Sequence, residues 1–208
     1  MNRELYVKCK VCDFEKLFAK KGYAYFTKGV YNLNIIGVRS NQNRKVTNKY
    51  DDCLVLIFND GVKFKKVIYT ITTDPGLSSI KAPSNVKGTA ILAPGQYRGA
   101  YKIDKHRGKY DALCQRLKKV KVYRDNNKDN LYDFDIANIE EGMFGINIHR
   151  SNDFWTRATV DGYSAGCQVF NDPKEFNAFM CYAKKSAKLY GNKFTYTLVT
   201  EEEIDELG

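Results

Sequence analysis

Histidine is scarce in this chain. His106 and His149 are the only two among 208 residues, so chemistry that needs an imidazole has a narrow choice of group. No apolar run is long enough to cross a membrane as a helix, and no membrane span is expected. The opening Met1-Asn2-Arg3-Glu4-Leu5-Tyr6-Val7-Lys8 lacks the apolar centre of a secretory signal, so synthesis in a cytoplasm without a signal peptide is expected. A long basic arm and a recognised nucleic-acid motif are both missing, which argues against nucleic acid as the partner. Cys9-Lys10-Val11-Cys12 has no second C-x-x-C or histidine pair to complete a zinc site. No cofactor is expected, and the pattern does not fix an oligomeric state.

Positive charge and aromatic residues are plentiful. The formal net charge of +10 favours an anionic partner, be it nucleic acid, a membrane surface, or peptidoglycan or another anionic polymer of a bacterial cell wall, with a solvated basic surface as the default for each cluster. The charge is spread along the chain, with small clusters at residues 63–66 and 116–121. Fifteen tyrosines and twelve phenylalanines suit strands and groove walls. The length fits one domain able to bury a sizeable core. Cys9, Cys12, Cys53, Cys114, Cys167 and Cys181 make an even count, but a core of this size does not need disulfides. Cys114 and Cys181 are expected to be packing residues.

Periodicity gives many strands and two clear helices. Phe14, Leu17 and Phe18 mark a helix over residues 12–21, stopped by Gly22. Strands are expected over 31–38, 53–58 and 62–73, with the turn Asn59-Asp60-Gly61 joining the last two and Asp74-Pro75-Gly76 ending the third. Residues 40–49, 77–87 and 125–135 read as loops. Further strands are expected over 88–92 and 99–103, around Pro94-Gly95, and over 120–124, 145–149 and 167–170, and residues 110–115 read as a short strand or a turn. Asp172 and Pro173 open a helix with an apolar stripe of Phe176, Phe179, Met180, Ala183 and Ala187, and Gly191 closes it. A final strand over 193–199 puts Phe194, Tyr196 and Leu198 on one face, and the acidic tail 201–208 is expected to be exposed. The absence of β-α-β alternation predicts a mainly β (α+β) fold, a barrel or sandwich with one packed C-terminal helix. Residues 1–25 are expected to form an N-terminal helical appendage to a single domain over 26–208.

The chemistry centres on Gly145-Ile146-Asn147-Ile148-His149-Arg150 and Ser164-Ala165-Gly166-Cys167-Gln168-Val169. A short strand delivers a histidine, and a small-residue corner presents a cysteine 18 residues later. A thiol needs a base to become a strong nucleophile at neutral pH, and imidazole is the usual one. The competing reading is a buried structural cysteine and a histidine at the rim of a core strand.

The His-loop-Ser-x-Gly-Cys arrangement resembles the signature of L,D-transpeptidase (YkuD-like) catalytic domains. Pro94-Gly95-Gln96-Tyr97 is similar to that family's Pro-x-Gly-x-Tyr/Phe segment. Across residues 88–169 the Gly-Gln-Tyr, Arg-Asp-x-Asn-x-Asp and Ser-x-Gly-Cys-Gln blocks also resemble proteins found in phages and gut bacteria. The resemblance implies an L,D-transpeptidase-like fold, Cys167 as acyl-enzyme nucleophile, His149 as base, and an oxyanion site at the Gly166 and Cys167 backbone. It further implies peptidoglycan stem peptides as substrate, with hydrolysis or cross-linking as the outcome, and delivery to the wall by release or in a phage virion. Ala165, Gln168 and Val169 depart from the family, which has a histidine, an apolar residue and an arginine there. Substrate-anchoring roles therefore do not carry over.

Other candidates surround this pair. Ser164 can hold the corner or bond near the nucleophile. Arg150 is a candidate carboxylate anchor, since a guanidinium matches a carboxylate bidentately. Trp155 and Tyr163 are candidates for a lid and His106 for a groove wall, with plain packing or surface roles as the alternatives. Asp125, Asn127 and Asp129 have the D-x-N-x-D spacing that opens a calcium loop, with Asp133 and Asp135 nearby. Asn130 and Ile136 replace the glycine and glutamate such a loop needs, so a solvated turn is preferred and no metal is expected. The alternative to an enzyme is a non-enzymatic phage structural or wall-binding protein that keeps the fold.

Overall fold

A computed structural model describes residues 2–41 and 43–207. The strands are β1 (Asn34–Arg39), β2 (Asp52–Asn59), β3 (Phe64–Thr72), β4 (Thr89–Leu92), β5 (Gly95–His106), β6 (Tyr110–Gln115), β7 (Val120–Asp125), β8 (Glu140–Gly142), β9 (Ile148–Arg150), β10 (Gln168–Phe170) and β11 (Phe194–Thr200). Eight of them close a barrel in the order β1-β11-β5-β6-β9-β10-β3-β2, while β4, β7 and β8 form a separate three-stranded sheet. The helices are α1 (Arg3–Val11), α2 (Phe14–Lys21), α3 (Leu77–Lys81), α4 (Pro173–Tyr190) and α5 (Glu201–Asp205). The fold is thus mainly β with a few helices, in agreement with the coarse class the sequence predicts.

β2 explains why residues 53–58 are apolar without alternation. Leu54, Leu56 and Phe58 face the main core, while Cys53, Val55 and Ile57 face α1 and α2. A strand buried on both faces reads as a continuous hydrophobic run. α4 begins as expected: Asp172 accepts a hydrogen bond from the Lys174 N–H at 2.7 Å, and Pro173 occupies the first turn. Phe176, Phe179, Met180 and Ala183 enter the main core, each large side chain contributing about 1.5–3 kcal/mol by burial. Cys114 is buried, but Cys181 lies outside this stripe and is exposed, contrary to expectation.

Several other expectations are corrected. The segment 77–87 contains α3 rather than only loop. β4 and β5 flank Pro94-Gly95 but do not pair, because β4 joins β7. The helix α1 was not visible as a periodic segment. It shares a buried cluster of Leu5, Cys9, Phe14, Leu17 and Phe18 with Ile36, Val38 and Val55 of the barrel wall. The acidic tail is not simply exposed: Thr200 and Glu203 form a capping box for α5, and Ile204 is buried. Lys8 bridges Glu201 and Asp205, each at 2.9 Å, and Lys21 pairs with Glu203. Complementary charge on α1 and α2 therefore docks the tail. Gly208 lies outside the described residues.

Candidate functional site

β9 and β10 run parallel, with Val169 opposite His149 and Gln168 opposite Ile148. Alternation puts Ile148 and Phe170 in the core. It puts Asn147, His149 and Cys167 on the outer face. The structure thus brings His149 and Cys167 to one face of adjacent strands, about two residues out of step.

The two groups are not hydrogen-bonded at rest. Cys167 Sγ accepts from the Asn147 N–H at 3.4 Å and faces the Gly145 carbonyl at 3.6 Å. The thiol is half-buried, and burial pushes its pKa up, against smaller opposing effects of the Asn147 N–H and of Arg107. It is a neutral thiol at neutral pH.

The imidazoles have defined tautomers. His149 Nδ1 lies 2.8 Å from the Arg150 carbonyl, which can only accept, so Nδ1 carries the proton and Nε2 carries the lone pair. Tyr110 Oη donates to the same carbonyl at 3.1 Å. Asn147 Oδ1 accepts from the Gln115 N–H at 3.0 Å, which fixes the amide. Its Nδ2 therefore donates to His106 Nδ1 at 3.1 Å, and His106 carries its proton on Nε2. The rings of His106 and His149 stack with centroids 4.0 Å apart. Burial lowers the His149 pKa to about 3, with the adjacent His106 adding to the effect. Burial, with Arg107 and Arg116, lowers that of His106 to about 4. One neutral ring offers a proton acceptor and the other a donor.

Both imidazoles are expected to remain neutral at pH 5, where a free histidine is almost fully protonated. With only two histidines, one NMR titration of the ring C–H signals decides this; movement of either signal between pH 7 and 5 would contradict the burial. The unfolded chain binds protons below pH about 6.5 that these rings refuse, so both oppose folding as pH falls. Asp74, raised by burial to about 7, acts in the opposite direction over part of that range.

The corner before β10 is held by Ser164. Its Oγ donates to the Cys167 carbonyl at 2.8 Å and accepts from the Gly166 N–H at 3.2 Å. The Gly166 N–H, expected in an oxyanion site, is thus occupied at rest. Among the described residues the Cys167 N–H has no hydrogen-bond partner. Gln168 donates to the Gly166 and Thr73 carbonyls at 3.3 and 3.4 Å and accepts from Tyr196 Oη at 2.7 Å. Gln115, which sequence reasoning passed over, accepts from the N–H groups of Phe144, Gly145 and Ile146 at 3.1, 2.8 and 3.1 Å. It clamps the approach to β9. Its only sequence signal was a polar residue ending an apolar strand.

Cys167, His106 and Asn147 line a cavity of about 640 Å³ that also receives Arg107, Arg116 and Arg124. Other expected substrate residues lie elsewhere. The Arg150 guanidinium stacks over Tyr110 at 4.1 Å and pairs with Asp153. Tyr163 packs beside Tyr50, Val160 and Val169 under Arg157. Trp155 is largely exposed and does not line the cavity. In the acidic loop Asn127 accepts from the Asp129 N–H at 3.1 Å and Asp129 from the Leu131 N–H at 2.6 Å. Asp125 is buried and accepts from the Asp133 N–H at 3.3 Å. Asp125 Oδ2, Asn127 and Asp129 serve their own backbone, Asp125 Oδ1 is buried without a partner among the described residues, and among those residues no group of three or more His, Cys, Asp or Glu is placed to hold a metal. A second cavity of about 530 Å³, against Arg39, Asp74, Tyr132 and Phe134, contains neither histidine nor cysteine.

No protein-family model matches the chain, and no curated protein or solved structure matches it significantly. Among the described residues no helix is long and apolar enough to cross a membrane.

Proposed function

We propose that the protein is a cysteine acyl-transfer enzyme acting on peptidoglycan stem peptides, on an L,D-transpeptidase-like fold. The observation that carries this is the His149 tautomer. A backbone carbonyl holds Nδ1–H, and the Nε2 lone pair remains on the strand face that also bears Cys167. A base oriented by a third group, on the same strand face as a thiol, follows the logic of activated-thiol catalysis, and the reading requires the two side chains to close the two-residue offset when substrate binds. The His-loop-Ser-x-Gly-Cys motif supports the substrate class by resemblance.

Cys167 Sγ attacks a peptide carbonyl carbon while its proton passes to His149 Nε2. The tetrahedral intermediate collapses, the C–N bond breaks, and the imidazolium returns the proton to the departing amine. The thioester is then resolved by water, giving cleavage, or by a second amine, giving a cross-link. The Cys167 N–H and the His106 Nε2–H are the donors available to the oxyanion, each worth a few kcal/mol if aligned. Because thiol and imidazole are both neutral at rest, the proton moves during attack rather than before it.

The test is mass spectrometry of the protein incubated with purified stem peptides. An acyl adduct on Cys167 is expected, forming about 10²–10⁴-fold more slowly in His149→Gln. Failure of every stem peptide to acylate Cys167, or equal rates in the two proteins, would defeat the proposal.

A further inference from the structure

The cavity beside Cys167 is basic in an unusual way. Arg107, Arg116 and Arg124 all line it, and no aspartate or glutamate does. Two of the three are engaged. Arg116 lies 3.3 Å from Asp104 and donates to the Gln115 carbonyl at 3.1 Å. Arg124 lies 2.9 Å from Glu140, donates to the Gly88 carbonyl at 3.2 Å and stacks over Phe144. Among the described residues the Arg107 side chain has neither a hydrogen bond nor an ion pair. Arg107 is an exposed residue that lines the cavity together with Cys167 and His106.

Its backbone is also distinctive. Arg107 holds φ +49° and Gly108 holds φ +71° in the turn between β5 and β6. Glycine, asparagine or aspartate is the usual occupant of that left-handed region. Arg107 thus lies one residue from His106 on the rim of the cavity.

We infer that Arg107 is a specificity-determining residue that binds a carboxylate of the substrate next to the carbonyl attacked by Cys167. The preferred substrate is therefore a peptide whose carboxylate lies close to the scissile bond. A guanidinium without an internal partner loses nothing internal on binding an anion, and its planar fork fits a carboxylate with two hydrogen bonds. His106 Nε2–H, on the neighbouring residue, can donate alongside it. The inference deepens the proposed acyl transfer and rests on it for the identity of the attacked carbonyl.

The test reads charge preference directly. Cys167 is alkylated with iodoacetate and with its neutral isostere iodoacetamide, and exposed Cys181 on the same molecule serves as the internal reference. The iodoacetate-to-iodoacetamide rate ratio at Cys167 is expected to exceed that at Cys181 about tenfold. In Arg107→Gln it should fall to the Cys181 value, and Arg107→Lys should retain part of it. Equal ratios at the two cysteines in the wild type overturn the inference.

A second measurement does not depend on thiol reactivity. N-acetylglycine, but not N-acetylglycinamide, is expected to shift the ring signals of His106 in an NMR titration, with affinity lost in Arg107→Gln. Absence of any shift overturns the inference as well. Carboxylate binding without acylation by any stem peptide would leave Arg107 assigned and remove the enzymatic reading. Turnover with equal kcat/KM for acid and amide substrates would do the reverse.

Discussion

Cys167→Ala is expected to abolish turnover of stem peptides, with a loss of at least about 10⁴-fold, because no other thiol lines the cavity. Cys114 is fully buried and Cys181 is exposed on α4, and neither lines the cavity, so neither can substitute. The fold should be little affected. Alanine keeps the Cβ and gives up the weak contacts of Sγ with the Asn147 N–H at 3.4 Å and the Gly145 carbonyl at 3.6 Å, together with part of its packing against Tyr50, Val160 and Val169. A stability change within about 1 kcal/mol is expected by urea denaturation. Product analysis by mass spectrometry after digestion of purified peptidoglycan reads the activity. Alanine protein as active as wild type would move the assignment to a wall-binding or structural role.

Gly166→Ala should produce a large loss of stability. Gly166 has φ +112°, and a Cβ there would stand 2.1 Å from the Ala90 carbonyl oxygen and 3.2 Å from Ile146 Cδ1. The first neighbour is backbone in β4 and cannot swing aside. Strain at the positive φ and displacement of β4 together are expected to cost about 2–5 kcal/mol. The corner carries Cys167, so alkylation of the thiol should change as well. Gly162 is the control: nothing lies within 4 Å of a Cβ built there, and alanine should be tolerated within about 0.5 kcal/mol. Denaturation midpoints that agree for the two variants would show that the corner yields, and the tight packing of Gly166 on β4 would then have no energetic weight.

Much of the strand content was legible because burial imposes a period. Residues 194, 196 and 198 alternate into the core, and β2 is uniformly apolar because both of its faces are covered. The start of α4 was legible from Asp172 and Pro173, whose roles are local. α1 was not legible: only Leu5 and Cys9 among its residues are buried, too few to set a period. The tail was misjudged because its acidic run reads as solvent-exposed until the lysines of α1 and α2 are placed beside it.

At the site, composition limits the chemistry to one small-residue corner with a cysteine and to two histidines. Local chemistry also determined that Ser164 and Gly166 shape that corner, since a short hydroxyl side chain bonds its own backbone and only glycine fits the positive φ. The tertiary structure alone decided the rest. It stacked His106, distant in sequence, on His149, and it used the Arg150 carbonyl and Asn147 to give the two rings opposite tautomers. It also turned the Arg150 side chain away to Tyr110 and left Arg107 facing the cavity without a partner. Barrel closure sets these relations, because strand register fixes which side chains share a face, and no one-dimensional pattern encodes register between strands so far apart in the chain.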